Sequence, residues 1–571
     1  MIVGIDLGTT NSLIAIWVDG AARLIPNCLG EVLTPSCISI DDDGTFLVGR
    51  AARERLQTHP HVSTSNFKRL MGSDKTIYLG RRAFRAEELS ALVLRALKAD
   101  AEAALGQPVL EAVITVPAYF SDAQRKATRA AGELAGLKVE RLLNEPTAAA
   151  LAYGIHQRDG DSKFLVFDLG GGTFDVSVLD LFDNVMEVRA SAGDNHLGGE
   201  DFVAALVDRF FETADVPESL RADALFMGRL TAQVEMAKRA LSEAPQALIH
   251  VSVDDATYSM TLDEAMLEKH CAPLLARLRA PIERALRDAR LPIAQLDSIV
   301  LAGGATRMPL VRKMAARMFG RFPACDIDPD QVVALGAAVQ AGLKMRDAAL
   351  DDVVMTDVSP YSLGVSMAVQ VGGNALSFGH FDPLIERNTV IPVSRVKRYS
   401  PINKTQSSID LHIYQGEARM VIDNIQLGVL SIDLPPHAGA GDRDVDVRFT
   451  YDVNGLLQVE ATLVQTGVIH TVVIEGNPGL LGKQEIAQRF AALSELKIHP
   501  RDRMENRTLF ASAERLYQQL RGAQRQQLGF EITCFETALA SQDQRIVVPA
   551  AVQMRQVLAH FNRQSILLPE A

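Results

Sequence analysis

Two distant stretches of this chain repeat one design, and that repetition restricts the fold more than any other feature. Ile2-Val3-Gly4-Ile5-Asp6-Leu7-Gly8-Thr9-Thr10 is answered by Phe164-Leu165-Val166-Phe167-Asp168-Leu169-Gly170-Gly171-Gly172-Thr173. Each copy is an apolar strand that ends in Asp, turns through glycine with Thr, and continues into a second alternating strand. Two hairpins of one design imply two lobes that face each other across a cleft. Glycine has no Cβ, so backbone N–H groups in such turns approach phosphate closely. Thr9, Thr10 and Thr173 add hydroxyl donors. Asp6, Asp168 and Asp175 then ring the same place with carboxylates, which repel a polyphosphate unless Mg²⁺ lies between them. Mg²⁺ keeps several waters, so direct carboxylate bonds need not form. One Asp-x-Gly-x-Thr is a weak signal; the pair, with Asp175 added, points to phosphate.

A chain of 571 residues is too long for one hydrophobic core, and two to four domains are expected. Its 47% hydrophobic and 22% charged content is that of globular protein. The net charge of −12 argues against a nucleic-acid partner, since phosphate backbones call for a basic surface. The basic run Arg395-Val396-Lys397-Arg398 reads as a solvated strand end. No apolar run approaches the ~20 residues of a membrane helix. The start lacks a basic n-region and reads as neither signal peptide nor anchor. The five cysteines, odd in number and without a Cys-x-x-Cys pair, read as buried free thiols of a reducing compartment, which implies the cytoplasm.

Residues 1–350 alternate strand and helix patterns, an α/β reading. Strands are expected at Ile2–Asp6, Leu13–Val18, Ala112–Val116, Lys163–Asp168, Val176–Leu181 and Ser298–Ala302, with helices at Glu87–Leu105 and Arg229–Leu241. At Asp351-Asp352-Val353-Val354-Met355-Thr356-Asp357 the character changes, and residues 351–358 are read as an interdomain linker. From 359 to 478 strict alternation, as in Val445-Asp446-Val447-Arg448-Phe449, indicates an antiparallel β domain with turns at Asn454-Gly455 and Thr466-Gly467. Residues 479–571 return to helical spacing, with Pro500 expected to interrupt the first helix.

Further residues suit phosphoryl chemistry. Lys68 is by itself an ordinary surface lysine. Glu145, ahead of Pro146 and an alanine-rich helix, is either an acid favouring the helix dipole or a ligand near Mg²⁺ and water. Glu235, Lys238 and Ser242 fall on one helix face, an exposed ion pair or a base and ribose contact. Gly303-Gly304-Ala305-Thr306-Arg307 follows a strand, and the Arg307 guanidinium is planar enough to stack on adenine.

Together these segments resemble the DnaK family of seventy-kilodalton heat-shock chaperones over essentially the whole chain, most closely its short HscC-type members. The resemblance is carried by Gly4–Ser12, Asn144–Gly154, Asp168–Val178, His196–Phe202, Gly303–Pro309 and the linker. It implies an actin-like α/β ATPase domain, a linker, a β-sandwich and an α-helical lid. It also implies an ATP-dependent chaperone that binds extended hydrophobic polypeptide, with ATP or ADP, Mg²⁺ and K⁺ as candidate cofactors. Asp6, Gly8, Thr9, Thr10, Asn11, Asp168, Gly170, Gly171, Gly172, Thr173 and Asp175 match the phosphate and Mg²⁺ contacts. Lys68 and Glu145 match the hydrolytic pair, Glu145 also a Mg²⁺ contact through water. Gly198, Gly199, Glu235, Lys238, Ser242, Gly303, Gly304, Arg307 and Asp330 match nucleotide contacts. Pro117 and Arg125 match an allosteric relay; alone they read as a strand terminator and a solvated helix residue.

In the β domain, Val365 and Met367 share a face, as do Ile409 and Leu411, with Tyr399 and Ile402 flanking. Pattern alone reads them as sandwich core; the resemblance makes them a peptide groove, with Ala368 and Ile402 across its arch. Val353, Val354 and Met355 form a segment able to bury in one state and emerge in another, which couples ATP to the clamp. Thr356 stands where the family has a third large apolar residue. The stretch 242–261 is short where the exchange factor grips, which leaves that factor in question, while a J-domain co-chaperone is implied. The competing readings are an actin-like small-molecule kinase and an actin-like scaffold.

Overall fold

The computed structural model describes all residues except 157–160, 183–184, 254–255, 325–326, 348–349, 351–353, 372–374, 404–405, 437–442, 454, 475–496 and 567–571. Cys325, Val353 and Asn454 therefore lie outside the described residues. The chain forms two compact units, Met1–Tyr361 and Ser362–Ala571.

The first unit holds two sheets of matching construction. In one, Ile2–Asp6 pairs antiparallel with Asn11–Val18 and parallel with Glu111–Val116, while Asn11–Val18 continues to Ala21–Ile25. In the other, Ser162–Leu169 pairs antiparallel with Phe174–Phe182 and parallel with Ser298–Ala302, while Phe174–Phe182 continues to Val185–Asp194. The repeat in the sequence is thus a repeat of topology. The third strand of each copy adds to what the apolar pattern predicts: Ala21–Ile25 is largely solvent-facing and too short to signal itself. Each sheet buries its own apolar core, one around Phe167, Phe174, Phe202 and Phe210, the other around Ile5, Ile14, Phe67 and Ile114. Helix Val332–Met345 packs on the first sheet and on helix Glu145–His156.

The linker segment is a strand. Val354–Val358 pairs parallel with the edge of the second sheet, in register Val185↔Val354, Met186↔Met355 and Glu187↔Thr356.

The second unit is a sandwich and a helical bundle. One sheet runs in the order Ala375–Ile385, Leu363–Val371, Ser408–Gln415, Ile425–Asp433; the other Val393–Tyr399, Val445–Tyr451, Leu457–Leu463, Ile469–Ile474. Alternation does what period 2 dictates: along Val445–Tyr451 the odd positions up to Phe449 are buried and the residues between them half-exposed. Helices Met504–Gln519, Gly522–Ser541 and Gln544–Ile566 pack around Leu528, Phe535, Met554, Leu558 and Phe561. Pro500 breaks no helix among the described residues; it opens the short turn Pro500–Asp502 ahead of the first of these helices, where a missing N–H does no harm.

Two readings of the sequence need correction in part here. Cys37 and Cys271 are buried free thiols, but Cys28 and Cys534 are exposed. In the basic run 395–398, Lys397 and Arg398 are exposed near the end of their strand, as expected, though both are paired, while Arg395 is half-buried. Lys397 Nζ lies 2.6 Å from Asp382 Oδ1, and Arg398 grips both oxygens of Asp446 at 2.7 and 2.9 Å. Arg395 donates to the carbonyl of Gln542 at the turn between two bundle helices, and burial lowers its guanidinium pKa. Gln542 takes a left-handed backbone with φ +56°. Its side chain accepts from Val396 N at 3.2 Å and donates to Val396 O at 3.0 Å, filling both outward bonds at one position of the sandwich edge.

Candidate functional site

The two glycine hairpins meet across a cavity of about 660 Å³. At Gly8 the turn is so tight that a Cβ would lie 2.0 Å from the Asn11 carbonyl. Ser36 Oγ donates to Gly8 O at 2.8 Å and pairs with Ser12 Oγ at 2.9 Å, which fixes the first turn. At Gly171 a Cβ would lie 2.0 Å from Thr10 Oγ1, so the tips of the two hairpins touch only because glycine stands there. The second turn is tied by Gly170 N to Thr173 O, Gly199 N to Gly170 O and Glu200 N to Gly171 O.

Beneath the tips sits a buried ion pair: Lys68 Nζ to Glu145 Oε1 at 2.8 Å, with Lys68 3% and Glu145 8% exposed. Around it stand Asp6, which accepts from Thr115 Oγ1 at 3.1 Å, Asp168 and Asp175. Burial first, and then the Glu145 charge, raise all three carboxyls, with Lys68 opposing: Asp6 to about 7, Asp175 to about 8, and Asp168 well above the ordinary range. Asp168 Oδ2 and Asp175 Oδ2 are buried without a hydrogen-bond partner among the described residues. Orphaned carboxylate oxygens of this kind suit a cation. Among the described residues, however, no three His, Cys, Asp or Glu side chains converge closely enough to hold a metal directly. The arrangement fits a hydrated Mg²⁺ held through its waters, the form Mg²⁺ prefers.

Of the residues expected in the nucleotide site, the cavity is lined by Asp6, Gly8, Thr9, Thr10, Asn11, Lys68, Glu145, Asp168, Gly170, Gly171, Thr173, Gly199, Glu235, Lys238, Ser242, Gly303, Gly304, Arg307 and Asp330. Gly172, Gly198 and Asp175 stand behind its wall: Asp175 is fully buried, and its Oδ1 accepts from Tyr119 N at 3.1 Å. Lys238 Nζ bridges Gly199 O at 3.1 Å and Glu235 at 2.6 Å, so two of the expected residues hold each other. Burial pushes the Glu235 carboxyl up, but Lys238 and Arg239 outweigh it and hold the group below its ordinary range. Arg307 is fixed between Asp328 and Asp330, with Nε 2.8 Å from Asp330 Oδ2. Asp330 therefore sets the plane of Arg307.

The sequence reading missed Glu200, Arg239, Glu243 and Arg312, which also line the cavity. It also missed Asn144 and Asp357. Arg125 donates to Asn144 Oδ1 at 2.6 Å and to the carbonyls of Ala118 and Phe120. Asn144 Nδ2 lies 2.9 Å from both oxygens of the buried linker carboxylate Asp357. Asn144 immediately precedes Glu145, so the linker contact and the catalytic candidate are adjacent in the chain. Pro117 sits at the end of the strand Glu111–Val116, in the turn that leads to Tyr119 and Phe120.

Of the expected groove residues, Val365 at 0% and Leu411 at 4% exposure are packed into the sandwich core. They are core rather than free surface, as the reading from pattern alone has it. Met367, Tyr399 and Ile409 are half-buried, and Ile402 is 50% exposed. Tyr399 Oη donates to Asp382 Oδ2 at 2.6 Å.

A first unit with twin glycine hairpins closing on carboxylates and a buried lysine, followed by a β-sandwich and helices, defines a nucleotide-dependent protein with a second, β-rich module. A family model described as Hsp70 protein matches residues 2–78 and 74–544. The chain belongs to the Hsp70 family. Members of that family are ATP-dependent chaperones that bind nucleotide with Mg²⁺, unfolded polypeptides and co-chaperones. No described helix is long and apolar enough to cross a membrane.

Proposed function

We propose that this chain hydrolyses ATP in the cleft between its two glycine hairpins and uses the cycle to capture and release extended hydrophobic polypeptide in the sandwich. The observation that carries this reading is the meeting of the hairpin tips over the Lys68–Glu145 pair. Backbone N–H groups of the Gly8–Thr10 and Gly170–Thr173 turns cradle the phosphates. Asp6, Asp168 and Glu145 would hold Mg²⁺ through its waters, and the ion would neutralise charge on the phosphates. Lys68, desolvated by burial, holds the attacking water and the γ-phosphate as charge develops, while Glu145 and Thr173 orient that water. Water oxygen bonds to the γ-phosphorus as the bond to the β–γ bridging oxygen breaks. Glu235, Lys238, Ser242 and Arg307 take the nucleoside.

Coupling runs through contacts with two discrete arrangements. Arg125 ties the Pro117–Phe120 turn to Asn144, and Asn144 holds Asp357 of the linker strand. A change at Glu145 thereby reaches the linker. Thr356 weakens this docking: its Oγ1 is buried and finds no hydrogen-bond partner among the described residues. Thr356→Val removes that hydroxyl and is expected to strengthen linker docking by about 1 kcal/mol. Slower proteolysis within residues 351–358 in the presence of ATP is the readout; unchanged cleavage removes Thr356 from the argument.

The groove is the end of the sandwich bounded by Met367, Tyr399, Ile402 and Ile409. Ile409→Phe is expected to weaken binding of an apolar extended peptide about tenfold, since overpacking a half-buried wall costs about 1–3 kcal/mol. ATP affinity should stay as in the parent; an unaltered peptide Kd excludes Ile409 from the groove. A J-domain co-chaperone is the proposed partner, and the cytoplasm the proposed compartment. The kinase and scaffold readings leave the whole second unit without a role. Comparing the ATPase rate with and without an unfolded hydrophobic peptide tests the proposal: a sugar-stimulated, peptide-indifferent rate overturns it.

A further inference from the structure

We propose that Tyr361 is a positioning residue for coupling, a second tie between the phosphate site and the point where the chain enters the second unit. The inference rests on the coupling reading above but uses different residues from the Asn144–Asp357 contact. Tyr361 is the last residue of the first unit and follows closely on the linker strand Val354–Val358. Its Oη donates to the Tyr119 carbonyl at 2.8 Å, and the two rings lie 4.6 Å apart at 48°.

Tyr119 is itself held from several sides. Its N–H donates to Asp175 Oδ1 at 3.1 Å, Asn195 Nδ2 donates to its carbonyl at 2.6 Å, and Arg284 donates to its hydroxyl at 3.1 Å. Asp175 thus grips one end of the Tyr119 backbone and Tyr361 the other. Asp175 lies just beyond the second glycine turn, with its other oxygen orphaned and turned to no partner among the described residues. Any ligand that draws this carboxylate shifts the Tyr119 N–H, and the carbonyl at the far side of the same residue moves with it. A residue that only filled space would need no hydroxyl. Tyr361 instead places its hydroxyl on the carbonyl of the residue whose N–H donates to the Asp175 carboxylate.

The full-length chain is tested as wild type, Tyr361→Phe and Tyr361→Leu. Phenylalanine keeps the ring contact and loses the hydrogen bond; leucine loses both. Measured are ATP Kd, single-turnover hydrolysis, melting temperature and the rate at which ATP releases a fluorescent peptide of alternating leucine and polar residues. For Tyr361→Phe the expected result is ATP affinity and hydrolysis within about twofold of wild type, with ATP-triggered release slowed about fivefold, the equivalent of one hydrogen bond. Tyr361→Leu is expected to slow release further, as the ring contact goes too. Release at the wild-type rate in both variants overturns the inference. So does a loss of release that merely tracks lost ATP affinity and melting temperature, since packing alone explains it. A wild-type chain whose peptide release ignores ATP overturns the coupling reading itself, and is told apart because it needs no variant.

Discussion

Lys68→Ala is expected to leave ATP binding largely intact while lowering the hydrolysis rate by roughly 10²–10³-fold, the usual effect of removing one preorganised group that stabilises transition-state charge. The ground-state phosphates keep the backbone of both glycine turns and the hydroxyls of Thr9, Thr10 and Thr173, so affinity has other sources. The developing charge and the water lose the buried cation that is paired with Glu145 beside the cavity-lining acids Asp6 and Asp168. The same substitution strips Glu145 of its 2.8 Å partner. An uncompensated buried charge costs about 3–5 kcal/mol, so the nucleotide-free variant should melt lower. Lys68→Ala combined with Glu145→Gln should recover much of that stability without recovering hydrolysis. ATP titration calorimetry, single-turnover hydrolysis and thermal melts together check this. Equal loss of binding and hydrolysis refutes the role given to Lys68.

Asp357→Ala should uncouple the two activities. The Asp357 carboxylate is buried and accepts from Asn144 Nδ2 and from Val358 N at 2.8 Å. Burial raises its pKa, with Arg141 opposing. Alanine removes the acceptor and leaves the Asn144 amide unpaired in a dry place, a cost of about 2 kcal/mol, roughly thirty-fold in the docking equilibrium of the linker strand. The expected result is ATP hydrolysis that continues but no longer governs peptide release, with a linker cut faster by protease. Asp357→Asn keeps one acceptor oxygen and should fall between. Peptide release that still answers ATP as in the parent chain counts against the assigned contact.

How much of this was legible in the sequence depends on how local the cause is. The hairpins are readable because a glycine at 8 or 171 is demanded by its immediate surroundings, and because the pattern occurs twice. The Arg125–Asn144–Asp357 contact is not readable, since Asn144 and Asp357 are 213 residues apart and only the fold brings them together. Both nonetheless sit in segments whose composition marks them, one beside Glu145 and one inside the acid-bracketed linker. Alternation placed Val365 and Leu411 on an apolar face but did not show that both are packed into the core. That packing depends on the opposing sheet, whose Val447 and Phe449 belong to the same apolar core. Arg395 in the basic run escapes a sequence reading for a related reason: its partner Gln542 is supplied by the bundle.

Gln542 has a consequence for what this molecule does in a crowd. A protein whose work is to hold sticky, extended chains must keep them from zipping onto its own free strand margins. At Val396 the one amide that mimics an incoming backbone is already seated, held there by a residue in an unfavourable twist. A stray client or a second copy finds that rung of the ladder taken.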